Sequence, residues 1–283
     1  MLMINGVLEK PKKEDAILPH LSLVEVQWES GSMSGKKTVT RLLYYEDAYI
    51  KHFEAKVVQS VEVDGQQGLV LDQTAFYPMG GGQPADKGVL KNEGWQAQVI
   101  DTQWHDNVPV HILGKVEGAV KEHDDATGEV DWARRWALMR NHTAAHLISP
   151  AIREAVGKQL EIVGSAVNVD KSRLDLNHEG SLRESFSKIE EIANRVVAED
   201  RPVIIRMMPR MDAERYVEAF HESLKTLPPS VRSVRIVEIK DWHACACGGT
   251  HLKSTGELGT IKVMGRTAKG KGVERIEFAA QNP

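Results

Sequence analysis

The apolar residues of this chain change period near residue 130, and that change limits the available folds more than any other feature. Upstream, from about residue 38 to 125, they fall in short β-rich runs: TRLLYYE, KVVQSVEV, LVLDQT, GVLKN, WQAQVID and VPVHIL. Gly, Asn and Asp turn signals separate the runs, and their number and spacing predict a small antiparallel barrel or sandwich. Downstream, in DWARRWALMRNHTAAHLISPAIREAV at 131–156, Trp132, Trp136, Met139, Thr143 and Leu147 recur at the period of an amphipathic helix. Pro150 is expected to kink or end that helix soon after His146.

Beyond the helix, GSAVNVDKSRLDLN reads as a strand. Ser181 with Glu184 carries a capping-box signature for a second helix, whose apolar stripe is Leu182, Phe186, Ile189, Ala193 and Val196. RPVIIRMMP reads as a strand, 211–224 as a helix with Ala213, Val217 and Phe220 inward, and 232–281 as mostly strand. The expected fold class is therefore α+β. A small antiparallel β-barrel-like domain over 38–127 precedes an α+β domain over 128–283, with helices packed on an antiparallel sheet. Residues 1–37 form an N-terminal extension of different character, charged in KPKKEDA and turn-rich in ESGSMSGKKT. Gly31-Ser32 directly before Met33 is what a cloning junction encodes, so the segment 1–32 reads as added during cloning.

Composition sets several classes aside. A chain of 283 residues with 41% hydrophobic and 27% charged residues is that of a globular protein. No apolar run approaches the ~18–20 residues that span a bilayer, and no secretory signal opens the chain, so no membrane partner and a cytoplasmic location are expected. The only cysteines, Cys245 and Cys247, stand one residue apart, a poor arrangement for a structural disulfide. With a net charge of −4, a nucleic acid would have to be met by a local basic patch.

Two half-sites for a metal stand far apart in sequence. In NHTAAHL, His142 and His146 are four residues apart, which on a helix stacks both imidazoles on one face. In ACACGGTHL, Cys247 and His251 are also four apart, and Gly248 and Gly249 between them allow a tight turn onto one centre. Either pair alone is common in proteins without a metal; together they supply the sulfur and nitrogen donors that zinc takes tetrahedrally. Cys245 is the rival thiolate, since strand alternation would point it the same way as Cys247. Cys247 is preferred because its glycine pair can fold back to His251. His243 reads as structural or exposed. Thr143 stands where a His-Glu-x-x-His protease helix would carry its glutamate base, so that chemistry is excluded.

The other unusual stretch is DQTAFYPMGGGQPADKG, residues 72–88. Gly80, Gly81 and Gly82 permit close backbone approach, and the N–H groups of such loops suit anionic or polar ligands. Thr74, Gln83 and Asp86 surround the run with polar side chains.

TAFYPMGGGQPADKG, RNHTAAHL and CGGTHL, in this order and spacing, with GKGVERIEFA near the end, resemble the alanyl-tRNA editing proteins of the AlaX type. The resemblance runs from about residue 38 to 281 and is closest to the medium-length members, which carry the glycine motif but not the further C-terminal domain of the longer ones. It implies a deacylase that acts in trans on tRNA(Ala) mischarged with serine, and with glycine as a further substrate. It implies Zn2+ held by His142, His146, Cys247 and His251, and no obligate protein partner is expected.

An aminoacyl ester is already activated, so a placed water and oxyanion stabilisation suffice. Thr74, Gln83, His142 and Cys247 are the candidate catalytic residues. Thr74 and Gln83 are also the candidate readers of the serine hydroxyl, because a site built to bond that group is left unpaired by alanine. Gly80, Gly81 and Gly82 would approach the substrate through their backbone. Arg140, beside Arg134 and Arg135, and Lys269 and Lys271 in RTAKGKG would meet the acceptor-end phosphates, with Lys262, Arg266 and Arg275 nearby. Two other readings compete: a zinc-structured tRNA-binding module without catalysis, and an editing enzyme for another amino acid such as threonine. Four protein ligands would close a tetrahedral site, whereas direct activation of water needs an exchangeable position.

Overall fold

Each β-rich run must bury its apolar face, and in the first half of the chain they do so by closing on one another. The structure is a computed structural model and describes residues 40–270 and 272–281. The chain opens with β1 (Arg41–Leu42) and one helical turn, α1 (Leu43–Glu46), followed by β2 (His52–Val63), β3 (Gln66–Leu71) and β4 (Gln73–Thr74). Then come β5 (Gly88–Lys91), β6 (Trp95–His105), β7 (Val108–Gly118) and β8 (Asp125–Val130). Six of these form a closed barrel in the order β2-β3-β7-β6-β5-β8, with antiparallel pairing throughout. Two hairpins turn on residue pairs with positive φ, Asp64 (50°) with Gly65 (77°) and Asp106 (49°) with Asn107 (64°), the backbone that matches strand twist. Val57, Leu69, Leu71, Phe76, Leu90 and Ala97 fill the interior, each fully buried.

Two details differ from the reading of the sequence. The run TRLLYYE contributes only a two-residue strand, β1, paired in parallel with β4. The turn that follows lets Leu43 enter the barrel core while Tyr44 packs edge-on against Tyr77, ring centroids 5.3 Å apart. The strand that closes the barrel, β8, lies in DATGEV, where Asp, Thr, Gly and Glu mask an alternation of buried Ala126, Gly128 and Val130.

The second half starts with α2 (Trp132–Val156), capped by the Asp131 carboxylate, which accepts the Arg134 amide at 3.1 Å. Pro150 does not end it. The helix runs on to Gly157, whose φ of +78° makes the left-handed C-cap. Next come β9 (Glu161–Ala166), β10 (Ser172–Asn177), α3 (Phe186–Ala198), β11 (Val203–Pro209) and α4 (Arg210–Glu218). The chain then forms β12 (Ser233–Ile239), β13 (His243–Ala246), β14 (Thr260–Ala268) and β15 (Val273–Gln281). GSAVNVDKSRLDLN thus folds as a hairpin rather than one strand. Ser181 accepts the Arg183 amide at 3.2 Å and caps no helix; α3 begins at Phe186 after a 3-10 turn. The reciprocal capping box forms instead between Ser254 and Glu257.

Two antiparallel sheets result, β14-β15-β10-β9 and β11-β12-β13. Met139, Leu147, Ile148 and Ala151 of α2 share one core with Ile189, Ala193 and Val196 of α3 and with Leu174, Ile276 and Phe278 of the four-stranded sheet. Ala213 and Val217 of α4 cover Val234, Ile236 and Ala244 of the three-stranded one. The architecture is α+β with a barrel, as expected. Among the described residues, no helix is long and apolar enough to cross a membrane.

The barrel is joined to α2 by a buried ion pair. The guanidinium of Arg135 and the carboxylate of Asp86 are both 0% exposed. Arg135 also donates to the Ala48 carbonyl at 2.7 Å and to the Ala75 carbonyl, while Asp86 accepts the Tyr77 amide at 2.6 Å. Inside the barrel His111 donates from Nδ1 to the Leu69 carbonyl at 2.9 Å and accepts at Nε2 from the Thr74 hydroxyl at 2.8 Å. Burial holds its pKa at about 4.

Arg135→Met leaves the Asp86 carboxylate buried without its counter-charge and should cost about 3–5 kcal/mol in urea unfolding. Adding Asp86→Leu to that variant should recover part of the loss. For His111 the unfolded chain binds the proton and the folded chain does not between pH ~6.5 and ~4. Stability should therefore be complete above that window and fall as pH drops through it; His111→Gln should flatten that limb of the pH–stability curve.

Candidate metal centre

α2 presents His142 and His146 one turn apart, with ring centroids separated by 5.3 Å. β13 delivers the partners. It carries Cys245, and the chain leaves it at Cys247 and turns back at Gly248–Gly249 to His251. Arg235 on β12 pins this turn, donating to the Cys247 carbonyl at 2.6 Å and the Gly249 carbonyl at 3.1 Å. Only glycine fits at 249, because a Cβ there would stand 2.1 Å from Cε1 of His142. The result brings one donor atom from each of His142, His146, Cys247 and His251 within 4.8 Å of the others, all four residues buried. Sγ of Cys247 lies 3.4 Å from Nε2 of His142 and 3.3 Å from Nε2 of His251.

Neighbouring polar groups select which ring nitrogen faces the centre. Gln83 Oε1 accepts the Thr250 amide at 3.1 Å, so it is also an acceptor for His142 Nδ1–H, 2.7 Å away. Its amide group donates to the Thr250 hydroxyl at 2.9 Å. His142 is thereby left with a bare Nε2 turned to Cys247. His251 places Nδ1 3.2 Å from the Thr143 hydroxyl, which also accepts the Leu252 amide at 3.1 Å. Thr143, where a protease would carry a base, orients a ligand instead.

Burial and the Arg235 charge hold His142 neutral, with a pKa of about 3, and burial first of all pushes His146 and His251 well below the usual imidazole range. Burial raises the Cys247 thiol, opposed by Arg235 and by the Gly249 amide, which donates to Sγ at 3.4 Å. Three neutral imidazoles and one thiol around a common point match the ligand chemistry of zinc, which displaces the thiol proton on binding.

A pocket of about 190 Å³ opens on this cluster, lined by His142, His146 and Cys247 together with Ser165, Glu222 and Gly81. The glycine run does not form an open anion cradle. Gly80 and Gln83 bond to each other's backbone at 3.1 and 2.9 Å, Gly81 and Gly82 take positive φ (56° and 80°), and Gly82 accepts the Val167 amide at 2.8 Å. The run is a tight turn that carries Gln83 into the cluster.

Other residues singled out in the sequence lie elsewhere. Thr74 is fully buried, its hydroxyl held between His111 and the Phe76 amide (3.1 Å), inside the barrel rather than in the pocket. Arg140 is buried and donates to the carbonyls of Leu258 and Gln281, which ties α2 to the end of β15 instead of to phosphates. Arg135 is spent on Asp86, and Arg134 donates to the Ala85 carbonyl at 3.1 Å. Lys262, Arg266 and Arg275 pair with Glu190, Glu274 and Asp175. Lys269 is exposed at the tip of the β14–β15 hairpin, and Lys271 lies outside the described residues. The reading of the sequence missed Arg235 and Glu222, which no local motif marks, and gave no role to Thr250 inside CGGTHL. It also placed His243 outside the site, whereas that ring is buried and lines the pocket. The alternation of His243 and Cys245 along β13, continued by Cys247 just past its end, was the available signal.

The chain that carries this barrel, α+β layer and buried His/His/Cys/His cluster is similar to parts of aminoacyl-tRNA synthetases. Residues 234–277 match the family described as threonyl and alanyl tRNA synthetase second additional domain, and residues 11–134 match tRNA synthetases class II (A). The chain is 42% identical over 246 residues to an alanine–tRNA ligase of Pyrobaculum neutrophilum, covering 84% of this chain and 27% of that one. It is 43% identical over 244 residues to that of Pyrococcus abyssi (85% and 26%) and 39% over 243 to that of Metallosphaera sedula (85% and 26%). The chain belongs to the alanyl-tRNA editing family of the AlaX type, and it spans about a quarter of the length of these relatives.

Gln83→Leu removes the acceptor that orients His142 and should lower zinc affinity about 10–100-fold, read by competition with a chromophoric chelator. Circular dichroism should show the fold retained.

Proposed function

We propose that the chain hydrolyses the ester of tRNA(Ala) mischarged with serine, takes glycine as a further substrate, and spares Ala-tRNA(Ala). The observation that carries this reading is the meeting of the His/His/Cys/His cluster with a pocket in a chain similar to alanine–tRNA ligases. His142, His146, Cys247 and His251 would hold zinc, which when bound supplies Lewis-acid polarisation and a template for the substrate end. Gln83 and Thr143 hold two of those imidazoles in the ligating orientation. Four protein donors favour a positioning role for the ion, so the chain's own polar groups must meet the substrate.

Ser149, Ser165 and Glu222 line the pocket and are the groups placed to meet the serine hydroxyl or its ammonium. Selectivity rests on bonding that hydroxyl, because alanine would leave its partners unpaired. Lys269, exposed at the tip of the β14–β15 hairpin, and Lys271 would contact acceptor-end phosphates, and the reading puts the protein in the cytoplasm, where tRNA is charged. The closed donor set also favours one competing reading, a zinc-structured tRNA-binding module without turnover.

Deacylation of Ser-tRNA(Ala) and Ala-tRNA(Ala) by the purified protein, with metal assayed in the same sample, separates the two. Rapid loss of serine, slow loss of alanine and about one zinc per chain are expected. Zinc present with neither ester cleaved establishes the binding module.

A further inference from the structure

A second group of donors sits against the first. His146, His243 and Cys245 also bring one ligating atom each within 4.8 Å of one another. Sγ of Cys245 stands 3.8 Å from Nδ1 and 3.9 Å from Nε2 of His146. The rings of His146 and His243 meet edge to face at 5.2 Å. All three residues line the same pocket.

The strongest sign is on His243. Its Nε2 lies 3.2 Å from Oε1 of Glu222, a carboxylate oxygen that accepts when ionised, so Nε2 is the donor and Nδ1 is the ring nitrogen left for a metal. Nδ1 is buried and has no hydrogen-bond partner among the described residues. A buried acceptor left unmade costs free energy that a ligand would return. A carboxylate behind one imidazole nitrogen is also the arrangement that orients a metal-binding histidine.

We propose that His146, His243 and Cys245 form a second metal position for a thiophilic divalent cation of the zinc class. It shares His146 with the first set, and a neutral imidazole offers one lone pair at a time, so a single ion per chain occupies one set or the other. The two positions differ in kind. The first has four protein donors, enough to close a tetrahedral site; the second has three, so an ion there would keep one position for a ligand from the pocket that these residues line. Glu222 is the positioning residue of the second set. The inference stands whether or not the chain cleaves an ester.

The test uses the full chain stripped with chelator and titrated with Co2+. Cys247→Ser should still bind one Co2+ per chain with a thiolate-to-cobalt charge-transfer band, now from Cys245. Adding Cys245→Ser should abolish the band, and adding His243→Ala should abolish it and weaken binding about tenfold or more. Cobalt bound by Cys247→Ser without that band would place it on the remaining imidazoles of the first set and overturn the proposal. A band that survives His243→Ala would do the same, since Cys245 would then be serving the first set. Should Cys247→Ser fail to fold by circular dichroism, Cys247→Ala takes its place, with the same band expected from Cys245 and the same results overturning the proposal.

Discussion

The site depends on a single buried contact that contributes nothing to its chemistry. Asp86 and Arg135 face each other with no exposed surface, and either charge left alone there would be heavily penalised. The loop and the helix therefore have one register in which both are satisfied. That register extends: Ala85 meets Arg134, and Gln83 meets His142 two helical turns beyond Arg135. Loop 83–86 and helix 134–142 run past each other like two sides of a ladder. The ion pair is one rung and the histidine tautomer is set by another.

This explains why a barrel that supplies no candidate ligand is still part of the centre. His142 could present either nitrogen; the Gln83 oxygen, already committed as acceptor to the Thr250 amide, makes Nδ1 the donor. Thr250 belongs to the turn that carries Cys247 and His251. One glutamine side chain thus bonds the barrel, the helix and the second half-site at once. Its tight fit is visible at Gly249, where any Cβ would strike His142 and approach the Gln83 oxygen at 2.9 Å.

Much of this was legible in the sequence because it followed local rules. The period change at Asp131, the alternating runs and the Asp-Gly hairpin are short-range signals, and the two half-sites announce themselves by ligand spacing. Where the reading failed, the deciding partner was distant. Pro150 lost one helical bond yet the helix continued, since Leu147, Ile148, Ala151 and Ile152 on both sides of it are held in the core. Thr74 was a plausible pocket residue until His111, 37 positions on, took its hydroxyl. Arg135 and Arg140 looked like phosphate contacts because charge is usually solvated; Asp86 and the carbonyls of Leu258 and Gln281 reversed that. The capping box expected at Ser181 did not form because its hydroxyl accepts the Arg183 amide and a 3-10 turn separates it from α3; a reciprocal box forms at Ser254 with Glu257.

The glycine run carries the broader lesson. Three glycines beside polar residues suggested backbone amides aimed at a ligand, but Gly80 bonds to Gln83 and Gly82 to Val167. Their conformational freedom serves the fold: positive φ at Gly81 and Gly82 reverses the chain sharply enough to seat Gln83 beside His142 while Asp86 stays opposite Arg135. A side chain at either position would strain that reversal and move the acceptor. The loop acts on the centre through geometry, and the chemistry of the histidines follows from where the loop puts one oxygen.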